Sequence, residues 1–227
     1  MRDSEMRDDG MRDSDTYDSD GDIPPRLPMR GLASVPLFFD LDGKRVVVAG
    51  GSPRAAWKAE LLQAAGAAVD VYAERPVPEL VSLAADSVTV TLADRVWQRE
   101  DLAGAALAFG DFATSGEAAA FRAAAQAAGV PVNLIDQPEF CDFQVGTIID
   151  RSPLVIGIST KGGAPVLALA LRGWLESLLP FELKSWAQAA EGWRKKLRAR
   201  QPSPAVRRRF WEMFAHLARA RREPLAH

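Results

Sequence analysis

Short apolar runs alternate with longer helical patterns through the middle of the chain. The runs read RVVVAG, AAVDVYA, SVTVTLA, ALAFG and VPVNLID. Helical spacing separates them, for example over residues 53–66 and in an alanine-rich stretch over 116–128. Strands that alternate with helices in this way indicate a parallel sheet with helices on both faces. We therefore predict an α/β fold for this part of the chain.

The pattern changes in the last third of the chain. SPLVIGIST predicts one further strand, and from Pro165 to Ala220 the spacing is helical with no further strand. The expected architecture is an α/β domain followed by a small helical module over residues 185–227.

Charge is distributed unevenly, although the net charge is only −2. Residues 1–22 hold nine acidic residues and three arginines in a near-repeat of Met-Arg-Asp. Such a segment buries too little surface to offset its ordering entropy, so residues 1–33 are predicted to be a disordered extension. Residues 184–227 hold twelve Lys and Arg against three acids. This basic end suits nucleic acid, a small polyanion or the acidic body of a second subunit.

Few residues are available for metal or redox chemistry. Cys141 is the only cysteine, which excludes an internal disulfide and a thiolate-rich zinc or iron–sulfur site. His216 and His227 lie near the C-terminus, so the core has no imidazole, and we predict no metal site. The chain lacks an apolar run of the roughly eighteen residues that a membrane span needs, and its N-terminus is acidic where a leader would be basic. A cytoplasmic protein without a membrane partner is expected.

A glycine turn follows the first apolar run. Gly50, Ser52 and Ala55 occupy the positions of a G-x-G-x-x-G/A dinucleotide motif, with serine in place of the second glycine. The serine hydroxyl suits a helix start, and Pro53 fits the first helical turn because its missing N–H is no loss there. With a strand before it and a helix after it, the turn indicates a nucleotide site in a Rossmann-like domain. The alternative is an ordinary strand-to-helix turn.

Two charged residues follow the second apolar run. Glu74 lies about twenty residues beyond the turn, where it suits a ribose hydroxyl and favours NAD over NADP. Arg75 beside it weakens that preference. The alternative for both residues is a solvated loop.

Asp136 is the acidic residue that closes VPVNLID, and strand ends of a parallel sheet face the ligand crevice. Partial burial there would favour its action as a base near neutral pH. The alternative is that Asp136 caps the QPEF turn that follows it. Further along, Ser159, Thr160 and Lys161 in STKGGAPV offer donors for the carboxylates of a ligand, or simply form the turn that begins the next helix.

Three stretches together resemble one enzyme family. They are PLFFDLDGKRVVVAGG, the long segment VNLIDQPEFCDFQVGTIIDRSPLVIGISTKGGAPVLALALRGWLESLLP, and RRRFWE. Over residues 36–214 the chain is similar to the N-terminal module of siroheme synthases, without the methyltransferase domain. The resemblance implies NAD-dependent dehydrogenation of precorrin-2 to sirohydrochlorin, followed by insertion of Fe²⁺ to give siroheme. It also implies a homodimer, with an NAD-binding domain over 34–145 and a dimerisation region over 146–184.

The resemblance also assigns roles to individual residues. The cofactor contacts that it implies fall on Gly50, Gly51, Ser52, Pro53, Arg54, Glu74 and Arg75. Asp136 matches the acid that the family uses in both activities, and Thr160 falls where some relatives carry a serine linked to the iron step. Ser159 and Lys161 complete the predicted substrate-binding turn.

The chain departs from the family pattern at three places. GGS replaces three glycines, Trp57-Lys58 replaces an Arg-Lys pair, and AFGDFATSGE stands where an A-T-D-D run is usual. Two rival functions fit the same sequence: a dehydrogenase that leaves iron insertion to another protein, and an NAD-sensing protein whose basic end binds nucleic acid. The sequence shows no helix-turn-helix or zinc pattern, so we predict no nucleic-acid partner.

Overall fold

The structure, a computed structural model, describes residues 31–179 and 181–220. The predicted disordered extension lies outside these residues except for its last three. Contacts divide the described chain into two units, one over Ala33–Lys184 and one that holds the residues from Ser185 onward. The separate roles given to 34–145 and 146–184 stay predictions.

A parallel sheet of five strands, counted over the described residues, forms the centre of the first unit. Its strands are β1 Arg45–Ala49, β2 Ala68–Tyr72, β3 Val90–Ala93, β4 Leu107–Gly110 and β5 Val132–Leu134. They lie in the order β3-β2-β1-β4-β5, and all neighbouring pairs are parallel. The predicted Rossmann-like α/β fold is therefore confirmed. The strand order reverses between β1 and β4, which is where such sheets open a ligand crevice.

Helices cover both faces of this sheet. They are α1 Pro53–Ala64, α2 Pro78–Asp86 and α3 Ser115–Ala127. Side chains of α1 and α2 pack on one face, and those of α3 pack on the other. Along β1, Val46 and Val48 point to the first face and Val47 to the second, and each is at most 1% exposed. Because β1 is buried on both faces, its sequence is a continuous apolar run.

A separate antiparallel pair follows the sheet. β6 Thr147–Arg151 pairs with β7 Leu154–Ile158. The sequence predicted β7, but the prediction of a single strand here was wrong, because the structure adds β6. The apolar part of β6 is short, so its strand character depends on pairing with β7 rather than on a pattern of its own.

The helix after this pair, α4 Pro165–Leu178, keeps most of its apolar side chains exposed. Ala168 is the buried residue of α4, whereas Val166 is 78% exposed, Leu169 60% and Trp174 61%. Contiguous apolar surface of this kind marks an interaction site more often than a solvated face.

The second unit contains two helices as far as the structure describes it. They are α5 Leu183–Arg200 and α6 Pro204–Ala220. The ring centroids of Trp186 and Phe214 lie 5.1 Å apart, and those of Trp193 and Phe210 lie 5.4 Å apart. The predicted helical character of this part of the chain is confirmed over the described residues, and these tryptophans pack against aromatic neighbours. Of the helices in the described ranges, none has the length and apolar character needed to cross a membrane.

Candidate active site

The glycine turn lies at the point where the strand order reverses. Gly50 follows β1 with a φ of 135°, and a Cβ there would lie 2.9 Å from the Cβ of Asp111. A Cβ on Gly51 would lie 2.5 Å from the carbonyl oxygen of Arg75. Both positions therefore need glycine, and the turn is held between the loops that follow β2 and β4.

Ser52 caps α1 at the end of this turn. Its Oγ accepts hydrogen bonds from the backbone N–H groups of Arg54 at 3.1 Å and Ala55 at 3.3 Å, and Pro53 takes the first helical position. The predicted use of the hydroxyl and of Pro53 at the helix start is confirmed. These amides are among those that a helix N-terminus offers to an anion, and here the serine already partners them.

Asp111 is a candidate that the sequence reasoning missed. It follows β4, and its side chain is only 5% exposed. Its carboxylate accepts a hydrogen bond from the Ser52 hydroxyl and pairs with Nη2 of Arg54 at 3.0 Å. The available signal was an acid directly after ALAFG, at the carboxyl edge of the predicted sheet.

Arg54 connects this buried acid to Asp136. Its Nη2 pairs with Asp111, and its Nη1 donates to the carboxylate of Asp136. A residue predicted to contact the cofactor and the residue predicted to act as base are therefore in direct contact. The Arg54 guanidinium thus joins the glycine turn to the residue that follows the end of β5.

Asp136 itself is exposed, so the expectation of partial burial was wrong. Its φ is 59°, and its side chain is 72% exposed. The left-handed conformation just beyond β5 turns the chain out of the sheet, which takes the carboxylate away from the packed layer. The alternative of a capping role is not observed either, because the turn Pro138–Phe140 has no side-chain cap.

A cavity of about 430 Å³ opens beside Asp136. Ser159 and Thr160, which follow β7, line the same cavity. Lys161 does not line it; this residue is exposed and has a φ of 52°. The structure thus brings Asp136 together with two of the three predicted substrate-binding residues and leaves the third outside.

Glu74 and Arg75 are exposed in the loop after β2. This loop touches the glycine turn, because the Val77 N–H donates to the Gly51 carbonyl at 2.9 Å and the Arg75 carbonyl lies against Gly51. The residues predicted to bind the cofactor therefore lie along one edge of the sheet. Their contacts with NAD stay predictions.

Lys58 is a second residue whose place in the site the sequence did not reveal. It lies on α1, four residues after Arg54, and it lines the cavity with only 9% of the residue exposed. Burial lowers the pKa of its ammonium, while the charge of Asp136 acts in the opposite direction. Spacing of four residues places Arg54 and Lys58 on one face of the helix, which was the signal that could have found it.

Cys141 lies at the cavity as a structural residue. Its Sγ donates to the carbonyl of Leu134 at 3.2 Å and accepts from the N–H of the same residue at 3.1 Å. Burial raises the pKa of the Cys141 thiol, so it stays protonated at neutral pH. This geometry is that of a packed side chain rather than of a nucleophile. Within the described residues there is no group of three or more acidic, imidazole or thiol side chains that could hold a metal ion.

Comparison with known proteins finds relatives over most of the chain. Residues 37–147 match the family described as "Putative NAD(P)-binding". The siroheme synthase of Pseudomonas putida (strain W619) is 40% identical over 178 residues, which is 78% of this chain and 38% of that protein. The siroheme synthase of Neisseria meningitidis serogroup C (strain 053442) is 39% identical over 180 residues, which is 78% of this chain and 37% of that protein. The chain therefore spans less than half the length of these relatives.

A solved structure, "SirC, precorrin-2 dehydrogenase", has the same fold. It superposes with a TM-score of 0.60 over 81% of this chain and 89% of that chain, at 20% sequence identity. The resemblance inferred from the sequence motifs is thus confirmed by alignment over most of the chain. Over most of its length this chain is therefore similar to part of the siroheme synthases, and residues 37–147 match a family described as NAD(P)-binding.

Proposed function

We propose that this chain is an NAD-dependent dehydrogenase of precorrin-2 that acts in siroheme biosynthesis. The observation that carries the proposal is the position of Asp136, which lines the cavity and is joined through Arg54 to the glycine turn. The relatives named siroheme synthase and the structural neighbour named precorrin-2 dehydrogenase support the substrate class.

The glycine turn fits a dinucleotide. Gly50 and Gly51 have no room for a side chain, and they lie at the strand-order reversal, where sheets of this kind bind dinucleotides. Arg54 adds a guanidinium at the start of α1, which suits the charge of a pyrophosphate. Bound there, NAD would accept a hydride from the substrate.

Asp136 takes the proton in the proposed reaction. Conversion of precorrin-2 to sirohydrochlorin removes a hydride and a proton from the macrocycle, so the site needs a base beside the cofactor. The Asp136 carboxylate is exposed at the cavity, where a bound ligand can reach it. Ser159 and Thr160 in the same cavity offer donors to the carboxylate arms of the substrate.

Insertion of Fe²⁺ into sirohydrochlorin is the second step that we propose. Metallation displaces the pyrrole protons of the ring, and the same exposed carboxylate of Asp136 can accept them. Iron enters here as a substrate. The names of the relatives support this step, whereas a dehydrogenase that leaves iron to another protein is its rival.

A homodimer is also part of the proposal. The exposed apolar side chains of α4, among them Val166, Leu169 and Trp174, would be covered by a second copy of the chain. Leu169→Asp should then give a smaller particle in size-exclusion chromatography with light scattering. An unchanged mass for this variant, or a monomeric wild type, would contradict the dimer. A cytoplasmic location stays a prediction from the sequence.

The test of the main proposal is anaerobic incubation with precorrin-2 and NAD, followed by Fe²⁺. NADH formation and the spectra of sirohydrochlorin and siroheme report the two steps separately. Asp136→Asn should lower the rate of NADH formation by about 10²–10⁴, the usual contribution of a general base. Asp86→Asn, at an exposed acid at the end of α2, is the matched control and should leave the rate unchanged.

Near-normal turnover by Asp136→Asn would contradict the role of Asp136. Failure of the wild-type chain to reduce NAD with precorrin-2 would contradict the function. Sirohydrochlorin production without siroheme would favour the dehydrogenase-only rival. The other rival, an NAD-sensing protein that binds nucleic acid, requires salt-dependent retention on DNA without turnover of precorrin-2.

A further inference from the structure

Lys58 is a mostly buried residue whose ammonium has no oxygen partner among the described residues. Its Nζ lies 4.7 Å from the ring centroid of Trp57 and 5.8 Å from that of Phe109. Over residues 31–179 and 181–220, no carboxylate or carbonyl oxygen accepts a hydrogen bond from this ammonium. The two rings attract the charge weakly compared with an oxygen acceptor.

Arg151 shows how the same fold satisfies a buried cation. This residue is 8% exposed, nearly the same as Lys58 at 9%. Its guanidinium donates to the carbonyl of Leu179 at 3.2 Å and to that of Asp150 at 2.8 Å. Unlike Arg151, Lys58 lines a cavity, so the missing acceptor is at a place that a ligand can enter.

The titratable groups that act on Lys58, namely Cys141 and Asp136, do not neutralise its ammonium. Burial is the main influence on its pKa and lowers it, with Cys141 and Asp136 opposing that effect. Cys141 keeps its proton, since burial raises the pKa of its thiol. The Asp136 carboxylate is already held by Arg54. An additional anion would therefore stabilise the charged form of Lys58.

We propose that the Lys58 ammonium binds a carboxylate arm of the ligand that occupies this cavity, and thereby positions the macrocycle against Asp136. The proposal rests on the proposed function, because it takes the ligand to be a polycarboxylate tetrapyrrole. A narrow acetate or propionate arm can reach the ammonium at the cavity wall while the ring stays beside the exposed acid. The hydroxyls of Ser159 and Thr160 in the same cavity supply further donors to the arms.

Lys58→Met tests this binding role. Methionine keeps an unbranched side chain against Trp57 and Phe109 but removes the charge. Sirohydrochlorin, prepared anaerobically, is titrated against wild type and variant by fluorescence, and NAD is titrated separately. The dissociation constant for sirohydrochlorin should rise about tenfold or more, because hydrogen bonds to charged groups contribute at least that factor. The dissociation constant for NAD should stay unchanged.

Lys44→Met is the matched control. Lys44 is exposed and precedes β1, at the opposite edge of the sheet from the cavity, so neither dissociation constant should change. Equal affinity of Lys58→Met and wild type for sirohydrochlorin would overturn the role of Lys58 and leave the proposed function standing. Absence of sirohydrochlorin binding by the wild type would overturn both.

A measurement on the wild-type chain guards against misfolding of the variant. Lysine side chains labelled with ¹³C by reductive methylation are titrated by NMR with and without sirohydrochlorin. The Lys58 signal is assigned by its absence from the spectrum of Lys58→Arg, and its pKa should rise when a carboxylate binds beside it. An unchanged titration of that signal in the presence of saturating sirohydrochlorin would overturn the proposal.

Discussion

The glycine turn and the cavity lie at the same edge of the sheet, but their polar groups differ in how they are satisfied. At the turn, Ser52, Asp111 and Arg54 bond to one another and to helix amides, and Asp111 is 5% exposed. At the cavity, Asp136 is 72% exposed, and Lys58 lacks an oxygen partner among the described residues. Polar groups that are buried and bonded internally support the fold, whereas those that are exposed or lack a partner are available to a ligand.

The glycine turn should therefore contribute mainly to stability, and the cavity mainly to ligand binding. Substitutions at the turn should lower the free energy of unfolding. Substitutions at the cavity should change binding and turnover while leaving the fold nearly as stable.

The largest effect on stability is expected for Asp111→Ala. It removes charge-assisted contacts with Ser52 and Arg54 from a buried position, so the free energy of unfolding should fall by about 3 kcal/mol. Asp136→Ala removes an exposed contact and should cost less than about 0.5 kcal/mol. Urea denaturation of both variants measures the contrast. Similar losses for the two would break the comparison.

Gly51→Ala should have the next largest effect. The new Cβ would lie 2.5 Å from the Arg75 carbonyl oxygen, so the backbone must shift, at a cost of about 2 kcal/mol. NAD should also bind more weakly, because the displaced loop carries predicted cofactor contacts. Gly192→Ala in α5 meets no atom within 4 Å and serves as the control. Wild-type stability for Gly51→Ala would show that the loop yields easily.

Ser52→Gly should lower the free energy of unfolding by about 1 kcal/mol, through the lost hydrogen bond to Asp111. It should at the same time tighten NAD binding, because the amides of Arg54 and Ala55 lose their internal acceptor and become free for a pyrophosphate. Calorimetric titration with NAD measures the change. If the affinity stays the same, the serine is already compatible with the cofactor.

The smallest effect is a pH dependence that Lys58 imposes on stability. The pKa of Lys58 in the folded chain lies below the ordinary 10.5. At pH values between the folded pKa and 10.5, the unfolded chain therefore binds more protons than the folded chain, and the free energy of unfolding rises with pH. Lys58→Met should lack this rise. The raised pKa of Cys141 has the opposite effect, because it makes the free energy of unfolding fall as the pH rises above the ordinary 9.0. Wild type and Lys58→Met both contain Cys141, so its effect cancels in the comparison. Urea denaturation across this range gives the difference, and parallel curves would contradict a lowered pKa for Lys58.

Local features of the turn could be read from the sequence. The run RVVVA, the proline at the helix start and the serine before it each act within a few residues, so pattern and propensity suffice. Strand alternation also predicted the parallel sheet with helices on both faces.

Features that depend on strand order could not be read in this way. Asp111 meets Ser52 because β4 lies next to β1, although β2 and β3 come between them in sequence. β6 depends in the same way on its partner β7. Such contacts follow from the assembled sheet rather than from any local pattern.

Side-chain environment was the hardest part to predict. A lysine in a helix is usually solvated, yet Lys58 is mostly buried and lies against Phe109 at the cavity. Lys161 shows the reverse, because a glycine-rich turn after a strand suggested a binding residue and the left-handed backbone leaves it exposed outside the cavity. Asp136 was expected to be partly buried, and its backbone conformation likewise turns it outward.

The tight packing of the glycine turn has a consequence for the whole edge of the sheet. The loops after β2 and β4 pack against Gly50 and Gly51, directly before the first residues of α1. Arg54 and Lys58 lie one turn apart on that helix. The packing of the glycine turn therefore determines the positions of both cations. A substitution in the glycine turn would therefore displace Arg54 and Lys58 together.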